Sequence, residues 1–165
     1  MTNPYASYLG TLDPLEVVGS TPDKVRRLLD SMGPQRAGEP PAPGKWCARE
    51  IVCHLADCEI AFGFRLRQTL AEERHVMQPF DQEKWAKHYE AYSTDEALSL
   101  FSALRQWNAA LLRSLGPADF AKAASHPERG DMTFRTIVET MGGHDLNHLK
   151  QLEAIAGKAR AESGS

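Results

Sequence analysis

A helix-period apolar stripe that also carries two histidines limits this chain more than any other feature. Phe134, Ile137, Val138, Met141, Leu152 and Ile155 recur at helical spacing, with His148 near the centre of the same face and His144 at its margin. Such a segment must bury its stripe against other helices, so its imidazoles are carried toward a core. A buried ring nitrogen left unpaired costs on the order of 1–3 kcal/mol. A third histidine, His54, lies at the edge of a second apolar stripe in the first half of the chain. Three converging imidazoles satisfy one another poorly and a divalent cation well.

Three further segments show the same period. The first starts at Thr21 as cap, with Pro22 at the first helical position, carries Val25, Leu28, Leu29 and Met32, and stops at Gly33-Pro34. Asp13-Pro14 opens a short separate turn before it. Helix two runs from about Trp46 to Glu73, with Cys47, Ile51, Leu55, Cys58, Phe62 and Leu66 as its stripe. Helix three opens on a capping box, Ser93 and Glu96, and its stripe reads Ala97, Phe101, Leu104, Trp107, Leu111 and Leu115 before Gly116-Pro117. Helix four runs from near Thr133 to about Ala156.

Residues 33–45 and 118–132 read as loops, the segment 74–92 reads as a long connection, and no strand is predicted. The expected fold is all-α, a four-helix bundle with a long crossover between helices two and three, which lets those two lie parallel. Residues 1–165 form one domain, in which 1–20 is an N-terminal lead-in and 157–165 a frayed tail.

Composition narrows the partners. A net charge of -3 argues against nucleic acid and anionic membrane, which require a basic surface. No apolar run approaches the roughly 20 residues of a spanning helix, and Met-Thr-Asn-Pro-Tyr lacks the features of a signal peptide. Cys47, Cys53 and Cys58 are an odd set within one helix, so a reducing, cytoplasmic setting is expected.

The histidine spacing is H-x-x-x-H, in the register G-H-D-L-N-H. Zincin proteases need Glu directly after the first His, and Asp145 stands there instead. His54, His144 and His148 are therefore read as three ligands of one metal with positions left open for a reactant. Asp57 and Asp145 are read as carboxylates that orient a ligand or act as base. Cys58, four residues after His54, reads first as a small buried hydrophobe, with a soft ligand in place of an imidazole as the alternative.

Arg65 reads as surface or partner-facing. It lies about 16 Å along the helix from His54, where it could still meet an anionic substrate in the same groove. Gly142-Gly143 implies a close backbone neighbour, substrate room or a kink. His75, His88 and His126 read as exposed, and Trp46, Trp85 and Trp107 as packing.

The motif W-x-x-R-E-x-x-x-H-L-x-D-x-E at 46–59, F-R-L-R at 64–67 and F-R-T-I-V-E-T-M-G-G-H-D-L-N-H-L-K-Q-L-E at 134–153 resemble the DinB-like superfamily, which includes YfiT-type proteins. The resemblance spans nearly the whole chain. It implies a divalent metal on His54, His144 and His148; three imidazoles do not fix which, and zinc or nickel is the first expectation, with iron, manganese or cobalt also compatible. It further implies a homodimer and a low-molecular-weight thiol (bacillithiol, mycothiol or glutathione) as cosubstrate. The expected function is transfer of that thiol to a small-molecule electrophile in detoxification or stress response. The alternatives are a metal-dependent hydrolase on the same triad and a non-catalytic stress protein with a structural metal.

Overall fold

The computed structural model describes residues 3–163, with side chains through Gly157. In chain order the elements are α1 (Ala6–Leu9), α2 (Pro14–Ala37), α3 (Ala48–Ala71), β1 (His75–Val76), α4 (Gln82–Ala86), a 3-10 turn (Tyr89–Ala91), α5 (Thr94–Arg113), α6 (Pro117–Phe120), β2 (Ala123–His126), β3 (Gly130–Thr133) and α7 (Phe134–Ser163). The long helices α2, α3, α5 and α7 pack as the expected four-helix bundle. No helix among the described residues is long and apolar enough to cross a membrane.

Local chemistry explains most of the boundaries. The Asp13 carboxylate accepts from the Leu15 N–H at 2.9 Å ahead of Pro14, so the long helix starts there. Glu50 accepts from the Cys47 N–H at 2.8 Å, and Ser93 and Glu96 form the capping box.

Thr21-Pro22 is not a helix start, which corrects the sequence reading; it lies inside α2. The Thr21 hydroxyl donates to the Val17 carbonyl at 2.8 Å, and proline lacks only the N–H that would have bonded Val18. Gly33, at φ 76° and ψ 164°, breaks the helix as expected, and one more turn follows it to Ala37. At the other end the backbone of α7 continues to Ser163, past the predicted end at Ala156.

Strands do exist. β1 pairs in parallel with β2, and β2 pairs antiparallel with β3, giving a small sheet that ties the 72–93 crossover to the segment before α7. Strands of two to four residues are too short for alternation to show in a sequence.

The core is two apolar clusters with a polar layer between them. One cluster includes Val25, Ile51, Leu55, Phe101, Leu149 and Leu152, and the other includes Val18, Phe62, Leu66, Leu112, Phe134 and Met141. Between them, helix by helix, come Thr21, Cys58 and Glu59, Arg105 and Asn108, then His144 and Asp145, all buried. This layer corrects the α5 stripe: Arg105 and Asn108 face inward, whereas Trp107 is 68% exposed. Trp85 is also exposed and lies against Phe80, and Trp46 packs on His54 at 5.0 Å between ring centroids.

Candidate metal centre

His54 on α3 and His144 and His148 on α7 converge. The Nε2 atom of His144 lies 3.1 Å from His54 Nε2 and 3.1 Å from His148 Nε2. All three residues are buried. Burial, reinforced by the neighbouring His148, lowers the His54 pKa to about 3. Burial also takes His144 well below its ordinary value and lowers His148, the latter against the opposing influence of Gln151 and Asp145. The rings are therefore neutral at pH 7 and present lone pairs rather than positive charge.

Gln151, one turn beyond His148, fixes one tautomer. Its Oε1 accepts from His148 Nδ1 at 3.0 Å, which leaves Nε2 unprotonated and aimed at His144. The sequence reading assigned that orienting task to carboxylates and missed Gln151. Its position three residues after a histidine on one helix face was the available signal.

Cys58 completes the cluster, with Sγ 3.4 Å from His54 Nε2 and 3.7 Å from His144 Nε2. The thiol is buried as expected, and burial pushes its pKa up. One donor atom each from His54, Cys58 and His144 fall within 4.8 Å of one another, a grouping able to hold a metal ion. Cys47, Cys53 and Cys58 are all free.

The two carboxylates singled out in the sequence stand elsewhere. Asp145 is engaged by Arg105, whose Nη1 donates to Oδ2 at 2.5 Å and whose Nη2 donates to Oδ1 at 3.1 Å. Both oxygens of Asp145 thus go to the guanidinium rather than to an imidazole. Asp57 is half-buried, which raises its pKa against the influence of the Tyr89 hydroxyl, and it lines neither cavity at the cluster.

Arg105 holds the layer together and was absent from the sequence reading. Its Nε donates to Glu59 Oε2 at 2.9 Å, and Nη1 also donates to the Val18 carbonyl at 2.9 Å. Pro22 leaves that carbonyl without its helical N–H partner. One side chain of α5 thereby ties α2, α3 and α7. Burial opposes its charge, but Asp145 and Glu59 outweigh that and hold the guanidinium pKa above its usual value. Asn108 Nδ2 donates to Glu59 Oε1 at 2.7 Å, and Arg67 Nη1 donates to Asn108 Oδ1 at 2.6 Å. Asp145 adjoins His144, and Glu59 follows Cys58, so this network fixes the two helices that carry the imidazoles.

The N-terminal segment closes over the cluster. The Tyr5 ring meets His144 edge-on at 5.2 Å. The approach depends on Gly143, where a Cβ would stand 2.4 Å from the Tyr5 carbonyl oxygen. This resolves the Gly142-Gly143 pair as a close backbone neighbour. Gly143→Ala is expected to cost about 1–3 kcal/mol, because the obstructing atom is backbone, and to expose the segment before Pro14 to proteolysis. Thermal melts and limited proteolysis check this, with Gly142→Ala as the milder control, since its nearest neighbour is the Leu9 side chain at 3.2 Å.

Two cavities reach the cluster. The larger, about 670 Å³, is lined by His148, Gln151, Asn147, Trp46, Lys45 and others. The smaller, about 340 Å³, is lined by His144, Cys58, Phe62, Phe80, Arg65 and Arg129 among others, and Tyr5 and Gln82 border both. Arg65 is buried rather than at the surface, donating from Nη2 to the Gln78 carbonyl at 2.9 Å. His75 and His126 are buried as well, against the sequence reading. His75 pairs with Glu72 at 2.9 Å, and His126 lines the smaller cavity.

A DinB superfamily model matches residues 19–152, which include all three histidines. This chain belongs to the DinB superfamily. A relative from Oceanobacillus iheyensis is 32% identical over 113 residues, 68% of this chain and 66% of that protein, and one from Bacillus licheniformis is 30% identical over 136 residues, 81% and 77% of the two. Both carry the name "Putative metal-dependent hydrolase". The structure of YfiT from Bacillus subtilis superposes with a TM-score of 0.81 at 24% identity, covering 88% of this chain and 85% of that one. Its description is a probable metal-dependent hydrolase with an unusual four-helix bundle topology, and the likeness here supports the shared fold.

Proposed function

We propose that this DinB superfamily chain is a metal-dependent enzyme that transfers a low-molecular-weight thiol to a small electrophile. Two cavities meeting one histidine cluster carry this reading, because a bimolecular transfer needs a place for each reactant. His54, His144 and His148 hold the cation.

The spacing of the donors supports that assignment. With zinc–nitrogen distances of 2.0–2.1 Å, two imidazole nitrogens that share one tetrahedral ion stand about 3.3–3.4 Å apart. The observed separations are 3.1 Å from His144 Nε2 to each of His54 Nε2 and His148 Nε2, with Cys58 Sγ 3.4 Å from His54 Nε2 and 3.7 Å from His144 Nε2. Neutral imidazoles beside a thiol suit a borderline cation such as zinc or nickel. When bound, the cation supplies Lewis acidity that lowers the pKa of a thiol or water brought to it.

The residues supply the rest. Gln151 holds His148 in the tautomer whose Nε2 faces the cluster, and Arg105 keeps α3 and α7 in register through Glu59 and Asp145. Lys45, Asn147 and Gln151 give the larger cavity a polar wall suited to a thiol cosubstrate, while Phe62 and Phe80 give the smaller one apolar surface for the electrophile. In the reaction the sulfur forms a bond to carbon as the carbon–halogen or epoxide carbon–oxygen bond breaks. The thiol proton passes to solvent or to the opened oxygen.

Hydrolysis on the same triad is the second reading, and the names of the relatives favour it. Asp145 gives it little support as a base, since both its oxygens are engaged by Arg105. Product analysis decides: the metal-loaded protein, given a thiol and a haloalkyl or epoxide electrophile, is expected to yield the thioether. Product formation at a rate independent of thiol overturns the transfer reading and supports hydrolysis.

A further inference from the structure

We propose that the smaller cavity is an anion-recognition site, so that the molecule bound there carries a carboxylate or phosphate beside an apolar body. The proposal rests on the reading that this cavity holds a reactant, and it specifies the chemistry of that reactant. Arg65 and Arg129 both line the cavity, together with His126, His144 and Cys58. Among the described residues neither arginine makes an ion pair.

The two charges are close enough to act on each other. Burial lowers the Arg65 pKa first, and Arg129 lowers it further; His126 is lowered by burial and then by both arginines. Glu128 also lines this space, but it is exposed and among the described residues ion-pairs with neither arginine, so the two guanidinium groups keep charge that an entering anion would neutralise.

The walls fit such a ligand. Arg65 is held by the Gln78 carbonyl, and its guanidinium carbon sits 5.6 Å from the centre of the Phe80 ring. That anchoring places a charged fork before the ligand arrives, a geometry suited to carboxylate or phosphate. His126 Nδ1 accepts from the Glu128 N–H at 3.2 Å, so its proton sits on Nε2 and remains available as a neutral donor. Phe62 and Phe80 supply the surface for the apolar body. The anionic end thus lies in the cavity that also opens on His144, which sets the distance between the charged group and the reacting atom of the substrate.

The test measures anion binding directly, with benzoate and inorganic phosphate as probes and benzyl alcohol as the uncharged control. Titration calorimetry on the full chain is run with the cation present and again after chelation, so that binding to the cation is separated from binding to the arginines. The expected result is benzoate binding in both states, weakened about tenfold or more by Arg129→Gln, as follows from loss of one charge-assisted hydrogen bond, and largely kept by Arg129→Lys. Arg65→Gln should weaken it as well; because Arg65 is also a structural contact, its helicity and melting are checked alongside. His148→Ala should retain benzoate binding, which separates this site from the metal-dependent chemistry. Benzoate binding that is unchanged in Arg129→Gln, that vanishes with the cation, or that is matched by benzyl alcohol overturns the proposal.

Discussion

Replacing Arg105 with methionine is expected to destabilise the protein by about 3–5 kcal/mol, the cost of leaving buried charges without their partner. Glu59 and Asp145 would both stay in the layer between the two apolar clusters, and the Val18 carbonyl would lose its donor as well. A domain of this kind is stable by about 5–15 kcal/mol in total, so the loss is a large fraction. At about 2–4 °C per kcal/mol for this chain length, the melting temperature should fall by roughly 10 °C.

The sharpest control is Trp107→Ala. A helix wheel built from apolar residues alone places Trp107 in the core, where truncation costs about 3–5 kcal/mol. The structure leaves it 68% exposed, where surface changes stay within about 0.5 kcal/mol. Thermal and chemical denaturation of the two variants should therefore rank them opposite to a hydrophobicity-based reading. Arg105→Met should also weaken cation binding, since α3 and α7 would lose the contact that fixes His54 against His144. Arg105 acts there as a positioning residue, and intact cation affinity in a folded Arg105→Met protein would refute that part.

The second large effect concerns His144. Its Nε2 is the atom shared by both short contacts of the cluster, so His144→Ala removes the link between the helices as well as one donor. A cation present at about 100 times its dissociation constant contributes about 2.7 kcal/mol of stability. Chelation should thus lower the melting temperature of the wild type by roughly 5–10 °C and restore it when zinc or nickel is returned. In His144→Ala the same treatment should shift nothing. A melting temperature indifferent to chelator in the wild type would contradict a cation bound in the folded state.

The difference between what could and could not be read in the sequence is one of range. His144 and His148 are four residues apart on one helix, so their shared face follows from helical geometry alone. Ser93 with Glu96 and the break at Gly33 are equally local, and all are found in the structure. His54 meeting them is a tertiary fact, anticipated because a buried imidazole needs company.

The polar layer stayed hidden for a physical reason. Arg105 occupies the turn after Phe101 on the buried face, but a guanidinium is ordinarily assigned to solvent, so apolar periodicity favours Leu104 and Trp107 instead. Only Glu59 from α3, Asp145 from α7 and the Val18 carbonyl freed by Pro22 make its burial tolerable. None of those partners is within helical reach of residue 105. The same holds for His126 and Arg65, whose burial depends on a crossover and a sheet too short to leave a pattern.

Metal content is the most direct test. The protein is purified without added metal, titrated with zinc and with nickel, and its stoichiometry is measured by elemental analysis beside His54→Ala, His144→Ala and His148→Ala, each confirmed as helical. About one divalent cation per chain is expected in the wild type, with loss of stoichiometric binding in every variant. A folded wild type that takes up neither metal, or variants that keep the full complement, would contradict that expectation.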